Sequence, residues 1–251
     1  MKSPRLDSVT SRYYEECWPR GGEYAQFSQV TLDPLIRHLA ETCLPPGGYC
    51  LDVGCGDGKT AGTWLTTLNS RYVGVDIAES AVRRARELGL DARVIEDAAN
   101  LPFPDGTFDL VVCTEVLEHV FQPQLVAEEI LRVLRPGAMF IATVPNVTHW
   151  RHRLSFCFAG RWDPYGCALS VERPWSDPHI RFFTKETLER MLTLVGFEGA
   201  QIRGSIPKRI RGLPWVDQKL VGFGSLGWLP VLVSRRLVAA ARKPNVTSEP
   251  C

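Results

Sequence analysis

The middle of the chain alternates short apolar runs with amphipathic segments of helical period. The helical period is clear where Val126, Ile130 and Leu134 recur on one face. The predicted strands are 49–53, 71–76, 91–95, 110–113 and 138–144, and the predicted helices between them are 59–68, 81–88 and 125–134. With two more strands near the C-terminus, this order predicts a doubly wound α/β fold. Its mostly parallel seven-stranded sheet is Rossmann-like, with right-handed crossovers and helices on both faces.

Three regions make up the predicted domain organisation. Residues 1–44 are expected to form an N-terminal cap with a helix over 32–42, which lies over a ligand as a lid or covers one edge of the sheet. Residues 45–204 are expected to form the core, and residues 205–251 the last strands and an apolar segment. An insert at about 146–183 lacks clear periodicity, and inserts of this length are usually functional.

The C-terminal third contains a capped helix and an ambiguous apolar segment. Thr184 is placed to cap a helix over 185–194. The segment 205–233 joins basic residues to Trp and Phe, so it suits either a surface for a membrane-bound ligand or core packing before a last strand over 234–241.

A glycine-rich turn follows the first predicted strand, in the string LDVGCGDG. A dinucleotide-binding Gly-x-G-x-x-Gly motif would need glycine at position 59, which is Lys59. A phosphate-binding P-loop ending in Gly58-Lys59-Thr60 would need glycine at position 53, which is Val53. What remains is Gly-x-Gly-x-Gly after an acid, Asp52. This acid disfavours a phosphate and favours a cationic ligand, and a generic strand-to-helix turn is the alternative.

This turn and two later strings resemble the class I S-adenosylmethionine (SAM)-dependent methyltransferases. The later strings are LPFPDGTFDLVVCTEVLEHV and HIRFFTKETLERMLTLVGF, and the resemblance is close over about 45–145. It implies SAM as cofactor and S-adenosyl-L-homocysteine as product. The cofactor-binding residues that we expect are Asp52, Gly54, Cys55, Gly56, Asp76, Ile77, Asp97, Ala98, Thr114 and Glu115.

Three acids receive separate roles from the resemblance. Asp52 approaches the methionine ammonium, directly or through water. Asp76 lies 20 positions after Gly56, a spacing that suits hydrogen bonds from both ribose hydroxyls, although it also suits the cap of the next helix. Asp97 accepts from the adenine amino group, with the Ala98 N–H near the ring, unless it is only a turn aspartate.

Candidate catalytic and acceptor-binding residues follow strands four and five. His149 and His119 are candidate bases because histidine titrates near neutral pH, but His119 also suits a structural role in a helix, and many methyltransferases use no base. Asn146, His179 and Arg181 are expected to bind the acceptor, which the insert covers. We expect no metal site.

Composition narrows the choice of acceptor and compartment. The 251 residues carry a net charge of +1, so we expect no nucleic acid partner. Eight cysteines without CxxC spacing suit a reducing cytoplasm, with membrane association through 205–233 left open. The favoured function is O-methylation of a small-molecule or glycan or lipid-linked acceptor. The alternatives are a non-catalytic SAM-binding partner subunit and a methyltransferase that acts on protein or RNA.

Overall fold

A seven-stranded sheet runs through the part of the chain that the computed structural model describes, which is residues 14–15, 34–68, 70–162, 172, 175, 177–204 and 229–245. The strands are β1 (Tyr49–Val53), β2 (Arg71–Asp76), β3 (Ala92–Val94), β4 (Phe108–Thr114), β5 (Leu134–Pro145), β6 (Glu198–Gly204) and β7 (Arg236–Arg242). Their order is β3-β2-β1-β4-β5-β7-β6, and β7 is antiparallel to both of its neighbours while the other pairs are parallel. This confirms the predicted fold class.

Helices pack on both faces of the sheet. They are α1 (Pro34–Cys43), α2 (Gly62–Leu65), α3 (Glu79–Glu87), α4 (Pro123–Val133), α5 (Trp150–Ala159), α6 (Lys185–Val195) and α7 (Leu229–Val233). None of the helices within the described ranges is long and apolar enough to cross a membrane. Since successive side chains of a strand point to opposite faces, the sheet supplies two separate hydrophobic cores.

The two cores divide the helices between them. One core joins alternate strand residues such as Leu51 and Val111 to Ile130 of α4 and Leu188 of α6. The other core joins the intervening strand residues to α1, α2 and α3. The central strands are buried on both sides, which explains why their sequences are almost continuously apolar.

Strand register brings the functional segments to one edge of the sheet. Val53 of β1 lies opposite Val75 of β2 and Cys113 of β4, so the carboxyl ends of these strands are adjacent. Pro145 at the end of β5 lies opposite Arg236 at the start of β7. The glycine turn and the segments that follow β2, β4 and β5 therefore share this edge, where ligands bind in open parallel sheets.

The structure differs from the predicted elements at three places. β5 begins at Leu134 rather than 138, and the strand includes Gly137 in a left-handed conformation (φ 76°). The predicted helix over 59–68 is reduced to Gly62–Leu65 between turns. Helix α5 lies inside the insert, where no element was predicted. Most of the predicted cap, much of the insert, and 205–228 of the apolar segment lie outside the described residues.

Candidate functional site

Three glycines shape the turn after β1. Gly54, Gly56 and Gly58 have φ values of 73°, 53° and 76°, which only glycine adopts without strain. A Cβ on Gly54 would lie 2.2 Å from Cγ2 of Val116, in the segment after β4. The two segments are therefore in direct contact, and Thr114, which ends β4, lies beside the glycine turn.

Asp76 holds the glycine turn at the end of β2. Its Oδ2 accepts a hydrogen bond from the Gly56 N–H at 2.9 Å, and its Oδ1 accepts one from the Ala78 N–H at 2.9 Å. Burial raises the pKa of Asp76, and these backbone hydrogen bonds partly oppose the shift. The Ile77 N–H also interacts with this carboxylate, which has about four acceptor positions, so at least one remains for a hydroxyl of a ligand.

Asp52 is a buried carboxyl group that is only half satisfied. Its Oδ2 accepts from the Tyr72 hydroxyl at 3.1 Å, while its Oδ1 is buried with no hydrogen-bond partner within the described structure. Burial raises the pKa of Asp52 to about 7, with the charge of Asp76 adding to the shift. The missing side chain at Gly74 makes room for the Tyr72 hydroxyl, because a Cβ there would lie 2.6 Å from it. An orphaned carboxylate oxygen suits a cationic ligand.

The remaining predicted cofactor residues surround the same edge with differing exposure. Asp97 is exposed, and its Oδ1 accepts from the Ala99 N–H at 2.8 Å, as a turn aspartate does. Cys55 and Ala98 are buried, whereas Ile77 and Thr114 are partly exposed. Glu115 has a φ of 55°, which is unusual for a residue with a side chain, and its Oε2 pairs with Arg236 Nε at 3.2 Å.

A cluster of titratable side chains, Glu118, His119 and His179, lies just beyond β4. One ligand atom from each lies within 4.8 Å of the other two, and the two imidazole rings are 4.5 Å apart. Backbone bonds fix the cluster, because the Ile180 and Arg181 N–H groups both donate to the Glu118 carbonyl. Carboxylate and imidazole groups bind metal ions in proteins. The cluster therefore has the composition of a metal site, although the sequence predicts none.

Glu118 and His119, which follow β4, have strongly shifted pKa values. Burial and the neighbouring His179 lower the pKa of His119 to about 3, so its ring is neutral at pH 7. Burial, with the charge of Glu115 adding to it, raises the pKa of Glu118 well above its usual value. The ring of Tyr14 lies edge-on to His119 at 5.9 Å. Part of the N-terminal segment therefore lies over this edge of the sheet.

The structure places His149, a predicted base, at the N-terminus of α5. His149 is the N-cap of α5, where its Nδ1 accepts from the Arg151 N–H at 3.3 Å, and its ring is also hydrogen-bonded to the backbone of Val233. It is 4% exposed, and burial lowers its pKa to about 4. With its ring engaged by backbone partners, His149 positions the segment after β5.

Asn146 also has a structural role where the sequence suggests substrate binding. Its Nδ2 donates to the carbonyls of Val231 and Ser234 at 2.6 and 2.8 Å. Its Oδ1 accepts from the N–H and the hydroxyl of Thr148, so the amide is satisfied and only 1% exposed. Asn146 therefore joins the ends of β5, α7 and β7.

Arg181 contributes mainly to loop structure. Its guanidinium donates to the Phe121 carbonyl and lies 5.9 Å from the Phe121 ring centroid. It also donates to the Ile180 carbonyl at 3.1 Å. His179, in contrast, lies in the cluster, where its Nδ1 contacts Asp177 Oδ1 at 2.5 Å. Of the three predicted acceptor-binding residues, the structure places His179 beside the candidate base His119.

Sequence reasoning missed several residues that complete the site. They are Tyr72 beside Asp52, Val116 over Gly54, Asp177 beside His179, and Arg236 beside Glu115. Asp177 carried a usable signal, because an acid two positions before a histidine can hold its ring. Arg236 carried none, since its pairing depends on the register of β7 with β5.

Comparison with known proteins agrees with this arrangement. Residues 51–142, from β1 into β5, match the family described as "Methyltransferase domain". A probable S-adenosylmethionine-dependent methyltransferase of Mycolicibacterium smegmatis is 28% identical over 209 residues, which cover 74% of this chain and 73% of that protein. A ubiquinone biosynthesis O-methyltransferase of Marinobacter nauticus is 29% identical over 165 residues, which cover 62% of this chain and 64% of that protein.

The fold has close counterparts among solved structures. A SAM-dependent methyltransferase of Thermotoga maritima superposes with a TM-score of 0.61 and 20% identity, covering 93% of this chain and 99% of that one. In two further relatives, the region that matches this chain covers 34% and 60% of the relative's own length. The family match of 51–142 begins within β1 and includes the glycine turn, the segment after β4 and most of β5.

Proposed function

Since the chain belongs to the class I SAM-dependent methyltransferases, we propose that it methylates a hydroxyl oxygen of a small-molecule or glycan or lipid-linked acceptor. The observation that carries this proposal is the contact between Gly54 and Val116. It brings the glycine turn against the segment that leads into the cluster of Glu118, His119 and His179. A cofactor held at the turn therefore has the cluster as its neighbour.

The cofactor is proposed to lie across the ends of β1, β2 and β3. Asp52, with one orphaned carboxylate oxygen, would bind the methionine ammonium, and Asp76 would use its remaining acceptor capacity for the ribose hydroxyls. Asp97, with the backbone of Ala98, would hold the adenine, and Ile77 would contact the ring. Gly56 would allow close approach of the backbone.

The cluster is proposed to receive the acceptor's proton. When bound, SAM supplies an electrophilic methyl group, whose transfer to oxygen requires the hydroxyl to lose its proton. Nδ1 of His119 lies 3.2 Å from the Pro178 carbonyl, which can only accept, so this nitrogen carries hydrogen. Nε2 is then the acceptor on a neutral ring, although the low pKa of His119 makes it a weaker base than an ordinary histidine. Alignment of the two reactants contributes the rest of the rate.

Exposed aromatic side chains beside the cluster support an acceptor with an apolar part. Phe121 and Phe182 are 53% and 46% exposed, on the two segments that form the cluster. Trp162 contacts Phe182 edge-to-face at 5.8 Å between ring centroids. The name of the Marinobacter relative, an O-methyltransferase of ubiquinone biosynthesis, agrees with oxygen as the accepting atom.

The test is a turnover assay with matched acceptors. Hydroxylated sugars, quinols and phenolics are each paired with the analogue in which an amine replaces the hydroxyl, and product mass and S-adenosylhomocysteine are measured. We expect the hydroxyl compounds to give products that are heavier by the mass of one CH2 group. His119→Gln should lower turnover by about 100-fold or more, with little change in SAM affinity, while the exposed His38→Gln should match the native chain.

Two outcomes would contradict the proposal. Methylation of the amines alone would move the reaction to nitrogen. Tight SAM binding with no turnover on any acceptor would favour the non-catalytic partner subunit.

The described cysteines Cys43, Cys50, Cys55, Cys113 and Cys157 are free thiols, which supports our inference that the enzyme works in the reducing cytoplasm.

A further inference from the structure

Glu118 is a buried carboxyl group whose oxygens lack a hydrogen-bond partner among the described residues. Its side chain is fully buried, and neither Oε1 nor Oε2 has a hydrogen bond within the described structure. An ionised carboxylate in such a place is costly unless a cation or hydrogen-bond donor compensates it. The nearest candidate is His119, whose Nε2 lies 3.8 Å from Oε1, too far for a hydrogen bond. The described residues therefore supply neither an ion-paired cation nor a hydrogen-bond donor to an ionised Glu118 carboxylate.

The tautomer of His119 means that its ring does not donate to Glu118. Its Nδ1 faces the carbonyl of Pro178, so Nδ1 carries the hydrogen and Nε2 presents a lone pair toward Glu118. Two acceptors thus face each other across 3.8 Å. Such a pair is repulsive unless Glu118 carries a proton or a cation lies between them.

Both imidazoles are held as metal-binding histidines are held. A ligating histidine usually gives its other ring nitrogen to a carbonyl or carboxylate, which fixes the orientation of the ring. His119 has the Pro178 carbonyl in that position at 3.2 Å, and His179 has the Asp177 carboxylate at 2.5 Å.

We propose that Glu118, His119 and His179 bind one divalent first-row transition-metal ion, such as Zn²⁺. Their ligand atoms lie within 4.8 Å of one another. Bonds of about 2.0–2.1 Å to a tetrahedral ion place ligand atoms roughly 3.3 Å apart. The 3.8 Å pair must therefore close by ~0.5 Å, and a pair at the 4.8 Å limit by ~1.5 Å. Two imidazoles and one carboxylate favour such an ion over Mg²⁺, which prefers oxygen ligands.

The surrounding charge suits a dication. Asp177 lies behind His179, and Glu115 interacts electrostatically with Glu118, while Arg236 offsets part of this negative charge. Three protein ligands leave at least one coordination position open. In a consequence that rests on the proposed function, Nε2 of His119 would bind the ion instead of accepting the proton. The ion would lower the pKa of an acceptor hydroxyl bound at the open position, and His119 would act as a ligand.

The experiment measures metal uptake by the full chain without SAM or acceptor. The protein is treated with a chelator, dialysed and titrated with Co²⁺, whose visible absorption reports nitrogen and oxygen ligands, and Zn²⁺ and Mg²⁺ are used as competitors. We expect one equivalent of Co²⁺, displaced by Zn²⁺ and not by equal Mg²⁺. Glu118→Gln and His179→Gln should weaken binding by at least about 100-fold, and Asp177→Asn by about 10–100-fold.

His38→Gln is the matched control, because His38 is an exposed histidine on α1. It should bind Co²⁺ as the native chain does. Failure of the native chain to bind Co²⁺ or Zn²⁺ would overturn the proposal even if the variants misfold. Uptake that is unchanged in folded Glu118→Gln and His179→Gln would also overturn it. Metal uptake without methyl transfer would instead count against the proposed function alone.

Discussion

The two sides of the candidate site are built in opposite ways. On the cofactor side, the glycine turn of 54–58 follows β1 directly, and its Gly56 N–H donates to the side chain of Asp76 at the end of the neighbouring strand. On the proposed acceptor side, Glu118 and His119 meet His179 from a segment 60 positions away in the chain. The first is a local structure that its own sequence specifies, whereas the second exists only after the chain has folded.

Both sides nevertheless contain a buried carboxyl group that is short of partners. Asp52 is half satisfied by Tyr72, while Glu118 has no hydrogen bond to either oxygen in the described part of the chain. Burial of an uncompensated acid costs stability, so each side is better suited to a positively charged partner than to an empty state. The proposed partners are the methionine ammonium of SAM beside Asp52 and a metal ion beside Glu118.

The largest effect is expected from the contact that joins the two sides. Gly54→Ala puts a Cβ 2.2 Å from Val116 Cγ2 at a φ of 73°. Left-handed strain and overpacking should together lower the free energy of unfolding by about 2–5 kcal/mol. SAM affinity should also fall, by roughly 10-fold or more, because the turn must move. Urea unfolding and calorimetry measure the two effects.

Gly89→Ala separates strain from contact. Gly89 has a φ of 81°, and a Cβ there would meet nothing within 4 Å. It should lose only about 1–2 kcal/mol and keep native SAM affinity. If the two variants behave alike, then Val116 does not tie the acceptor segment to the turn.

The second prediction concerns the stability of the cofactor side at different pH values. Asp52 has a pKa raised from 3.8 to about 7, so the folded chain holds its proton more tightly than the unfolded chain. The stability from this proton is complete below pH 4 and is lost as pH rises to 7. Relative to Asp52→Asn, the native chain should lose up to about 4 kcal/mol over this range.

The comparison with Asp52→Asn is needed because His119 changes stability in the opposite direction. Its folded pKa of about 3 lies below 6.5, so stability due to His119 rises with pH between these values. Urea unfolding of both chains between pH 4 and 8 gives the difference directly. A difference that does not vary with pH would show that Asp52 ionises as freely as in the unfolded chain.

A third and smaller effect is expected at Asp76. Asp76→Asn keeps one acceptor oxygen but cannot serve both the Gly56 and the Ala78 N–H groups. Loss of charge-assisted hydrogen bonds to backbone and ribose should weaken SAM binding by about 10–100-fold. Asp109→Asn is the control, because Asp109 accepts from the Tyr49 N–H at the other end of the sheet. It should lower stability and leave SAM affinity unchanged, and equal losses of affinity would contradict the ribose role.

Sequence patterns were sufficient for the cofactor side because its determinants are local. Asp52, the three glycines and Asp76 could be placed from strand ends and spacing, and the structure brings them together at one edge. The capping of α6 by Thr184 is also confirmed, because a capping box involves residues three positions apart.

The acceptor side could not be predicted to the same depth, for physical reasons. Helix α5 has no buried residue in the described structure. Since it packs no apolar face into a core, its sequence lacks the apolar periodicity from which a helix is predicted. The roles of Asn146 and His149 depend on carbonyls of Val231, Val233 and Ser234, more than 80 positions away. Nothing in the local sequence distinguishes a histidine that caps a helix from one that accepts a proton.

The smallest effect is therefore expected at His149, where the structure and the sequence disagree most. Asparagine is a preferred N-cap, so His149→Asn should retain the cap of α5 and be about 1 kcal/mol more stable than His149→Ala. Its turnover should stay within about threefold of the native rate, far from the loss of about 100-fold expected for His119→Gln. Steady-state rates with saturating SAM, together with thermal unfolding of all three variants, make the comparison. If folded His149→Asn loses as much turnover as His119→Gln, then His149 is the base and the cap is incidental.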